Sequence, residues 1–275
     1  MASPSYTKQP SPKKHQARKR FGQNFLQDQG IIRHIVACIR PKPEQTIVEI
    51  GPGLGAITEH LLASTGSLDV VELDRDLLPH LRIAFASYGN NLRIHEADAL
   101  KFDFSSIKSE SNPKSKSLRI VGNLPYNIST PLIFHLLDQA GLIEDMHFML
   151  QKEVVLRLAA GAGTNNYGRL SIMAQYFCRV DNLFEVPPEA FDPRPKVDSA
   201  IVRMAPYAEL PHPAKDFKHF ESLVKTGFAQ RRKTLRNNLK GIIDDQQLQS
   251  LGIDPSIRPE RLTVADFVAI SNLLT

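Results

Sequence analysis

The chain has 275 residues, of which 42% are hydrophobic and 23% are charged, a composition typical of a globular protein with one large or two smaller domains. It has no apolar stretch of membrane-spanning length, and its N-terminus lacks the hydrophobic block of a secretory signal, so we expect no membrane partner. The two cysteines, Cys38 and Cys178, lie in apolar surroundings without metal-ligand spacing. This pattern predicts reduced thiols in a cytoplasmic protein, with no metal site.

Basic residues are concentrated near the two ends of the chain. Lys and Arg total 34 against 29 for Asp and Glu, a net charge of +5. Residues 1–20 contain six Lys or Arg and no acid, and residues 211–240 contain eight Lys or Arg and two acids. Such charge suits a polyanion such as nucleic acid, although a charged run is more often a solvated face. The prolines at 4, 10 and 12 interrupt any amphipathic helix, so residues 1–20 are predicted to be a disordered basic arm.

The predicted elements alternate between helices and strands from residue 28 to residue 158. Asp28 is a candidate cap for a helix that ends before Pro41. Short β-branched or apolar runs predict strands at 46–50, 68–73, 92–94, 118–121 and 146–150. Helical spacing is found between them at 56–63, 75–86 and 130–140, and again at 151–158. This order predicts an α/β fold, a Rossmann-like and mostly parallel sheet with helices on both faces.

The pattern changes toward the C-terminus. A helix is predicted at 167–177, followed by two strands that flank a proline-rich loop at 186–197. From residue 217 onward only helical spacing is found, including segments at 244–251 and 264–274. We therefore predict a catalytic domain over residues 21–206 and a small all-helical domain over residues 207–275. The polar, low-complexity stretch Ser105–Ser117 is predicted to be a flexible surface insertion.

A glycine-rich turn follows the first strand of this predicted sheet. The sequence Glu49-Ile-Gly-Pro-Gly-Leu-Gly places Gly51, Gly53 and Gly55 before a helix, where a ligand can approach the backbone and the free N–H groups of the helix. Glu72 ends the second strand, 21 residues after Gly51, where an acid can accept hydrogen bonds from ribose hydroxyls. Together these features predict an adenosine-containing cofactor, and they fit a dinucleotide as well as other adenosine derivatives.

The fourth strand ends in Asn123-Leu-Pro-Tyr, beside the predicted glycine turn. The side-chain oxygen of Asn123 and the carbonyl of Leu124 could hold the two hydrogens of a nucleobase amine, which is otherwise a poor nucleophile. Pro125 fixes the local φ, and Tyr126 offers a flat face to a base lifted out of its stack. A dehydrogenase has no need of these groups, so the pattern favours a methyltransferase that uses S-adenosylmethionine.

Seven motifs in order resemble the ribosomal RNA adenine dimethyltransferases, which convert two adjacent adenosines near the 3′ end of small-subunit (16S) rRNA to N6,N6-dimethyladenosine. The motifs are QNFL at 23–26, EIGPGLGAIT at 49–58, VVELD at 70–74, NLPYNIS at 123–129, YGRLS at 167–171, FDPRPKVDS at 191–199 and FAQRRKTLRNNL at 228–239. The resemblance covers roughly residues 18–275. It implies a small ribosomal subunit or its rRNA as partner and a role in ribosome biogenesis.

The resemblance also implies roles for single residues. Asn24 and Leu26 would line the cofactor pocket, Gly51 would meet the methionine part of the cofactor and Glu72 its ribose. Asp98 would bind the adenine amine, although the same residue could simply cap a turn. Asn123 would lie near the transferred methyl group. The expected cofactor-binding residues are Asn24, Leu26, Gly51, Gly53, Gly55, Glu72, Asp98 and Asn123.

Further residues are expected to hold the RNA. Phe191, in a loop stiffened by two prolines, could oppose Tyr126 and sandwich the flipped base, or it could be a core residue. Asn123, Leu124, Pro125, Tyr126 and Phe191 are thus the expected catalytic residues. A predicted helix would dock through Phe228, Leu235 and Leu239 and present four basic residues to phosphates. These are Arg231, Arg232, Lys233 and Arg236.

The expected reaction is an in-line displacement in which the N6 lone pair attacks the sulfonium methyl group. It requires no metal and no covalent nucleophile, and we name no general base. Three alternatives share the fold: a macrolide-resistance methyltransferase of large-subunit rRNA, a nucleic-acid-binding transcription factor, and a ribosome assembly factor. We expect a monomer, because no exposed apolar heptad is present.

Overall fold

The structure is a computed structural model that describes residues 23–107, 118–230 and 232–275. The predicted basic arm at 1–20, residues 108–117 of the predicted insertion, and Arg231 lie outside the described residues.

The described residues form nine strands, and the five strands predicted in the first half of the chain are confirmed. Thr46–Ile50 has the predicted bounds, whereas the fifth predicted strand is longer and spans Ile143–Gln151. The strands are β1 (Phe25–Leu26), β2 (Thr46–Ile50), β3 (Leu68–Glu72), β4 (Leu92–Glu96), β5 (Leu118–Asn123), β6 (Ile143–Gln151), β7 (Cys178–Val186), β8 (Phe191–Asp192) and β9 (Ser199–Pro206).

Seven of these strands form one sheet with the order β4-β3-β2-β5-β6-β9-β7. The first five are parallel, whereas β9 is antiparallel to both β6 and β7. The chain runs outward from β2 to β3 and β4 on one side and returns to β5 on the other. The order therefore reverses between β2 and β5, and ligands of open α/β sheets bind at the carboxyl ends of strands at such a point.

Helices cover the sheet and form the C-terminal part of the chain. The helix predicted after Asp28 is confirmed, because the Asp28 side chain accepts a hydrogen bond from the N–H of Ile31. The helices are α1 (Gln29–Ile39), α2 (Thr58–Thr65), α3 (Leu78–Ala84), α4 (Ser129–Leu137), α5 (Lys152–Leu158), α6 (Arg169–Phe177), α7 (Phe217–Gly227), α8 (Leu235–Asn238), α9 (Asp245–Ser250) and α10 (Val264–Leu274).

Two hydrophobic cores lie on opposite faces of the sheet. In β2, Val48 and Ile50 belong to the core that packs on α4, α5 and α6, whereas Ile47 belongs to the core that packs on α1, α2 and α3. This alternation follows from the two-residue period of a strand. Every residue of β2 is buried, as expected for a parallel strand covered on both faces. The predicted Rossmann-like fold is confirmed.

A third core joins the C-terminal helices. Phe220, Leu235 and Phe267 are fully buried in it, and Tyr176 of α6 packs its ring on Phe220 with the centroids 4.7 Å apart. This core therefore includes side chains from both sides of the predicted boundary at residues 206 and 207, and the division into two domains stays a prediction. In the parts of the chain that the structure describes, no helix has the length and apolar character needed to cross a bilayer.

The prediction of a single helix across residues 228–239 is wrong. Helix α7 ends at Gly227, and the short helix α8 begins only at Leu235. The N–H of Leu235 donates to Ile257 O at 2.7 Å, and the N–H of Arg236 donates to Pro255 O at 3.0 Å. In a continuous helix these two groups would bind carbonyls four residues earlier in the chain. Their hydrogen bonds to another segment explain the break.

Candidate active site

A cavity of about 920 Å³ lies at the carboxyl ends of the central strands. Strands β2 and β5 are in register there, with Ile50 opposite Gly122, so that the glycine turn and the Asn123-Leu-Pro-Tyr segment leave the sheet side by side. A Cβ atom on Gly122 would lie 2.6 Å from Ile50 O, so glycine is needed for the two strands to approach this closely. The topology therefore brings the two predicted motifs into one cavity.

The three glycines of the turn have positive φ angles, +65° at Gly51, +60° at Gly53 and +89° at Gly55, and all three line the cavity. Glycine adopts this region without the steric cost of a Cβ atom. Each position also differs in its surroundings. An added Cβ on Gly55 would lie 2.5 Å from the Phe85 ring, whereas on Gly51 its nearest neighbour would be Asn123 O at 3.7 Å. The backbone at Gly51 is thus open to close approach by a ligand.

Glu72 lies at the end of β3 and also lines the cavity. It is 7% exposed, and its carboxylate accepts a hydrogen bond from the N–H of Asp74 at 2.7 Å. Burial raises the pKa of Glu72, and the backbone hydrogen bonds oppose this shift. The position of this carboxylate on the cavity wall is the one expected of a ribose-binding acid.

Glu49 is a second buried acid of the cavity and is not among the cofactor-binding residues predicted from the sequence. It is 2% exposed and its carboxylate accepts a 2.6 Å hydrogen bond from the Thr58 hydroxyl. Burial raises its pKa to about 7, the Thr58 hydrogen bond opposes the shift, and the neighbouring Glu72 adds to it. A signal was present in the sequence, since Glu49 is the only acid within the otherwise uncharged strand Thr46–Ile50.

Asp98 lies on the cavity wall after β4 and caps a turn at the same time. Its carboxylate accepts from the N–H of Leu100 at 3.0 Å, and its carbonyl accepts from the N–H of Lys101 at 2.9 Å. The capping role that the sequence left open is therefore present. Capping occupies the Oδ1 atom and fixes the direction of the side chain, and the second oxygen is left for a ligand.

Among the described residues, one hydrogen bond orients the Asn123 side chain. Its Nδ2 donates to the main-chain carbonyl of Asn24 at 3.1 Å. Because a carbonyl can only accept, this bond determines which end of the amide is nitrogen, and Oδ1 is left as an acceptor. Leu124 donates its N–H to Met149 O at 3.2 Å, and its own carbonyl accepts no hydrogen bond in the described ranges. Asn123, Leu124, Pro125 and Tyr126 all line the cavity.

The segment 23–27 forms another wall of the cavity. It includes Asn24 and Leu26, as predicted, together with Gln23 and Phe25. The short strand β1 pairs with β8 through Leu26 and Phe191, and Gln23 Nε2 donates to Asp74 Oδ2 at 2.8 Å. Leu26 is 6% exposed and belongs to the core beneath. The segment is therefore anchored at both ends.

Phe191 lies in the hydrophobic core and is not among the residues that line the cavity. It is 4% exposed, belongs to the core that contains Leu26, and is absent from the cavity wall. Within β8 the side chains alternate, so that Phe191 is buried and Asp192 is exposed. The core position that the sequence left open for Phe191 is therefore present, and its role in stacking on a base stays a prediction.

Three of the four predicted RNA-binding residues are described, and they do not line the cavity: Arg232, Lys233 and Arg236. Arg232 and Lys233 are exposed in the segment between α7 and α8. Arg236 is exposed as well, but its guanidinium forms two contacts with Asp245, at 2.9 and 2.6 Å. Arg232 and Lys233 can therefore bind an anion without the loss of an ion pair that the structure describes.

Comparison with known proteins identifies the family. The family model described as Ribosomal RNA adenine dimethylase matches residues 14–275. The chain belongs to this family. Membership in the ribosomal RNA adenine dimethylases confirms the resemblance inferred from the seven motifs, and it confirms the predicted enzyme class.

Two curated members of the family are similar over almost their whole length. A protein of Marinobacter nauticus named Ribosomal RNA small subunit methyltransferase A is 65% identical over 260 residues, which cover 94% of this chain and 92% of the relative. A protein of the same name from Marinomonas sp. is 62% identical and covers 94% and 95%.

Two solved structures share the fold over most of both chains. A dimethyladenosine transferase from Plasmodium falciparum is 28% identical, with a TM-score of 0.76 and coverage of 89% of this chain and 95% of the other. The 23S rRNA methyltransferase ErmE is 23% identical, with a TM-score of 0.72 and coverage of 91% and 99%, and at this identity it shows the fold alone.

Proposed function

We propose that the protein transfers methyl groups from S-adenosylmethionine to the N6 amines of two adjacent adenosines near the 3′ end of small-subunit (16S) rRNA. The enzyme would act as a monomer in the cytoplasm during ribosome biogenesis. The names of the relatives that are 65% and 62% identical support the small subunit as the substrate. The observation that carries the chemistry is the amide of Asn123, whose Nδ2 is engaged by Asn24 O, so that Oδ1 is an acceptor beside the glycine turn.

The cavity fits a methyl donor that contains adenosine. The open backbone at Gly51 would accept the methionine part, the carboxylate of Glu72 the ribose hydroxyls, and the free oxygen of Asp98 the adenine amine. Asn24 and Leu26 would close the pocket from the side of the N-terminal segment. When bound, S-adenosylmethionine supplies a sulfonium methyl group that already carries the positive charge needed for its transfer. The buried acids Glu49 and Glu72 favour a cationic ligand, because a nearby positive charge stabilises their ionised forms.

The chain's own contribution to the reaction is to align the target amine. Asn123 Oδ1 and the carbonyl of Leu124 would each accept one N6 hydrogen, which leaves the nitrogen lone pair directed at the methyl group. Both acceptors are fixed before the base arrives, Asn123 by Asn24 and Leu124 by its N–H bond to Met149 O. Alignment of this kind can contribute about 7 to 11 kcal/mol in favourable systems. As the new N–C bond forms and the C–S bond breaks, the amine becomes acidic, and its proton passes to water.

Contacts with the RNA backbone would be made by the basic segment before α8. Arg232 and Lys233 are exposed and have no described ion-pair partner, so they can meet phosphates without losing an internal contact. Such contacts add affinity that depends on salt and add little sequence specificity. Recognition of the target adenosine is therefore assigned to the cavity and to the shape of the RNA.

The test is methyl transfer from labelled S-adenosylmethionine to small subunits purified from a strain that lacks the modification. Large subunits and duplex DNA are assayed in parallel, and the nucleosides are identified by mass spectrometry. N6,N6-dimethyladenosine in the small subunit alone supports the proposal. Asn123→Ala should abolish transfer, whereas Asn182→Ala, on an exposed position of the edge strand β7, should not change it.

Other outcomes would contradict the proposal. Label in the large subunit would assign the protein to the macrolide-resistance branch of methyltransferases. No label in any substrate, with tight RNA binding retained, would indicate a binding factor on a methyltransferase fold.

A further inference from the structure

Ser199 contacts the segment 123–129, part of which lines the proposed site of the target base. It is the first residue of β9, it directly follows the proline-rich loop, and it is fully buried. Its hydroxyl lies 2.7 Å from the hydroxyl of Tyr126, and this is the only partner that the described residues offer to the Ser199 side chain. The two residues are 73 positions apart in the sequence. One hydrogen bond thus joins the segment 123–129 to the first residue of β9.

We propose that Ser199 is a positioning residue that holds the Tyr126 ring in the orientation needed to stack on the target adenine. The inference rests on the proposed function and adds a residue to which no role has been assigned. Tyr126 is half-buried and lines the cavity, so its ring is accessible to a base. Ser199 does not touch the base and acts only through the tyrosine.

The ring is restrained at both of its ends. At the backbone end, the Ser129 hydroxyl donates to Tyr126 O at 3.2 Å, and the N–H of Ile128 donates to Pro125 O at 3.1 Å. At the far end, the phenol oxygen is bound to Ser199. With both ends held, the two side-chain torsions of the tyrosine are fixed before RNA binds, so this ordering does not have to accompany the extrusion of the base.

The support beneath Ser199 is rigid. Its backbone pairs with Gln151 of β6 and with Val186 of β7, and both pairings belong to the main sheet. The position of its hydroxyl is therefore set by the sheet and does not depend on the conformation of the proline-rich loop. A buried serine hydroxyl also needs a partner, which makes the bond with Tyr126 persistent.

The hydrogen bond could alternatively stabilise the fold without affecting transfer, and a double-mutant cycle separates the two possibilities. The variants are Ser199→Ala, Tyr126→Phe and their combination. The matched control is Ser271→Ala, a fully buried serine whose hydroxyl is 2.8 Å from His219 Nδ1 in the helical region. Three quantities are measured: the single-turnover rate of methyl transfer at saturating small subunits and donor, the Kd of the donor, and the Tm.

Each single variant should lower the transfer rate by roughly 2- to 13-fold, the range that corresponds to the loss of one hydrogen bond. The combined variant should be no slower than either single variant, because both remove the same bond. The Kd of the donor should not change, and Ser271→Ala should transfer methyl groups at the wild-type rate. The inference is overturned if the fold-decreases in transfer rate of the two single variants multiply in the combined variant. It is also overturned if the single variants have a lowered Tm and an unchanged transfer rate.

A second measurement does not depend on methyl transfer. In protein labelled with ¹³C at the tyrosine rings, the Tyr126 resonance should shift toward a motionally averaged value in Ser199→Ala, and in Ser271→Ala it should keep its wild-type position. If the wild-type protein transfers no methyl group, the proposed function fails, and this spectrum still decides whether Ser199 positions the ring. An unchanged Tyr126 resonance in Ser199→Ala would refute the positioning role.

Discussion

Alanine at Gly55 should destabilise the protein more than alanine at Gly66, although both residues have positive φ angles of similar size. The angles are +89° at Gly55 and +77° at Gly66. An L-residue in this region costs about 1–2 kcal/mol, and that cost applies to both substitutions. At Gly66 an added Cβ would have no neighbour within 4 Å. The expected loss of unfolding free energy for Gly66→Ala is therefore about 1–2 kcal/mol.

At Gly55 the added Cβ would also clash with a side chain. It would lie 2.5 Å from Cε2 and 2.7 Å from Cζ of Phe85, whose ring is 8% exposed and packed beside Leu81. The ring must shift within a filled core, which typically costs about 1–3 kcal/mol. We therefore expect Gly55→Ala to lose about 2–5 kcal/mol in total, the sum of strain and overpacking.

Urea unfolding of the two variants measures this difference, and Gly66→Ala is the matched control for backbone strain. Since Phe85 also lines the cavity, displacement of its ring should weaken donor binding in Gly55→Ala, and calorimetry should find wild-type affinity in Gly66→Ala. Equal unfolding free energies for the two variants would refute the assignment of the excess to the Phe85 contact.

Three further predictions concern charge. Burial raises the pKa of Glu49 from 4.5 to about 7, so between these pH values the folded state holds a proton that the unfolded state releases. The unfolding free energy should therefore fall by about 3 kcal/mol as the pH rises through this range. Glu49→Gln should remove this pH dependence in urea unfolding measured at pH 5, 6 and 7. Glu72→Gln should raise the donor Kd roughly ten- to one-hundred-fold in calorimetry, because a charged acceptor is lost, and an unchanged Kd would exclude the ribose contact. Replacing Arg232 and Lys233 by Gln should reduce the slope of log affinity for rRNA against log salt by about 0.7 to 0.9 per lost phosphate contact, whereas Lys42→Gln, on the exposed turn before β2, should leave the slope unchanged.

Local signals in the sequence were sufficient for most of the fold. A short apolar run indicates a buried parallel strand, and the spacing of apolar residues indicates a helix, whatever the distant parts of the chain contain. The strand Thr46–Ile50 and the helix Val264–Leu274 have the same bounds in the prediction and in the structure. The glycines at 51, 53 and 55 and the acid at 72 were found because a turn with positive φ and a strand-end carboxylate leave fixed spacings. The fold class and the family follow from such patterns alone.

The tertiary structure decided what depends on contacts between distant segments. Residues 228–239 have helical spacing, yet α7 ends at Gly227 and the N–H of Leu235, where α8 begins, bonds to Ile257 O in a distant segment. The sequence left Phe191 either beside the base or in the core, and in the structure β8 pairs with β1 and the ring belongs to the core. The bond between Tyr126 and Ser199 spans 73 residues. Sequence spacing fixes local backbone geometry, whereas the partner that a buried ring or hydroxyl finds is set only when the sheet brings separate segments together.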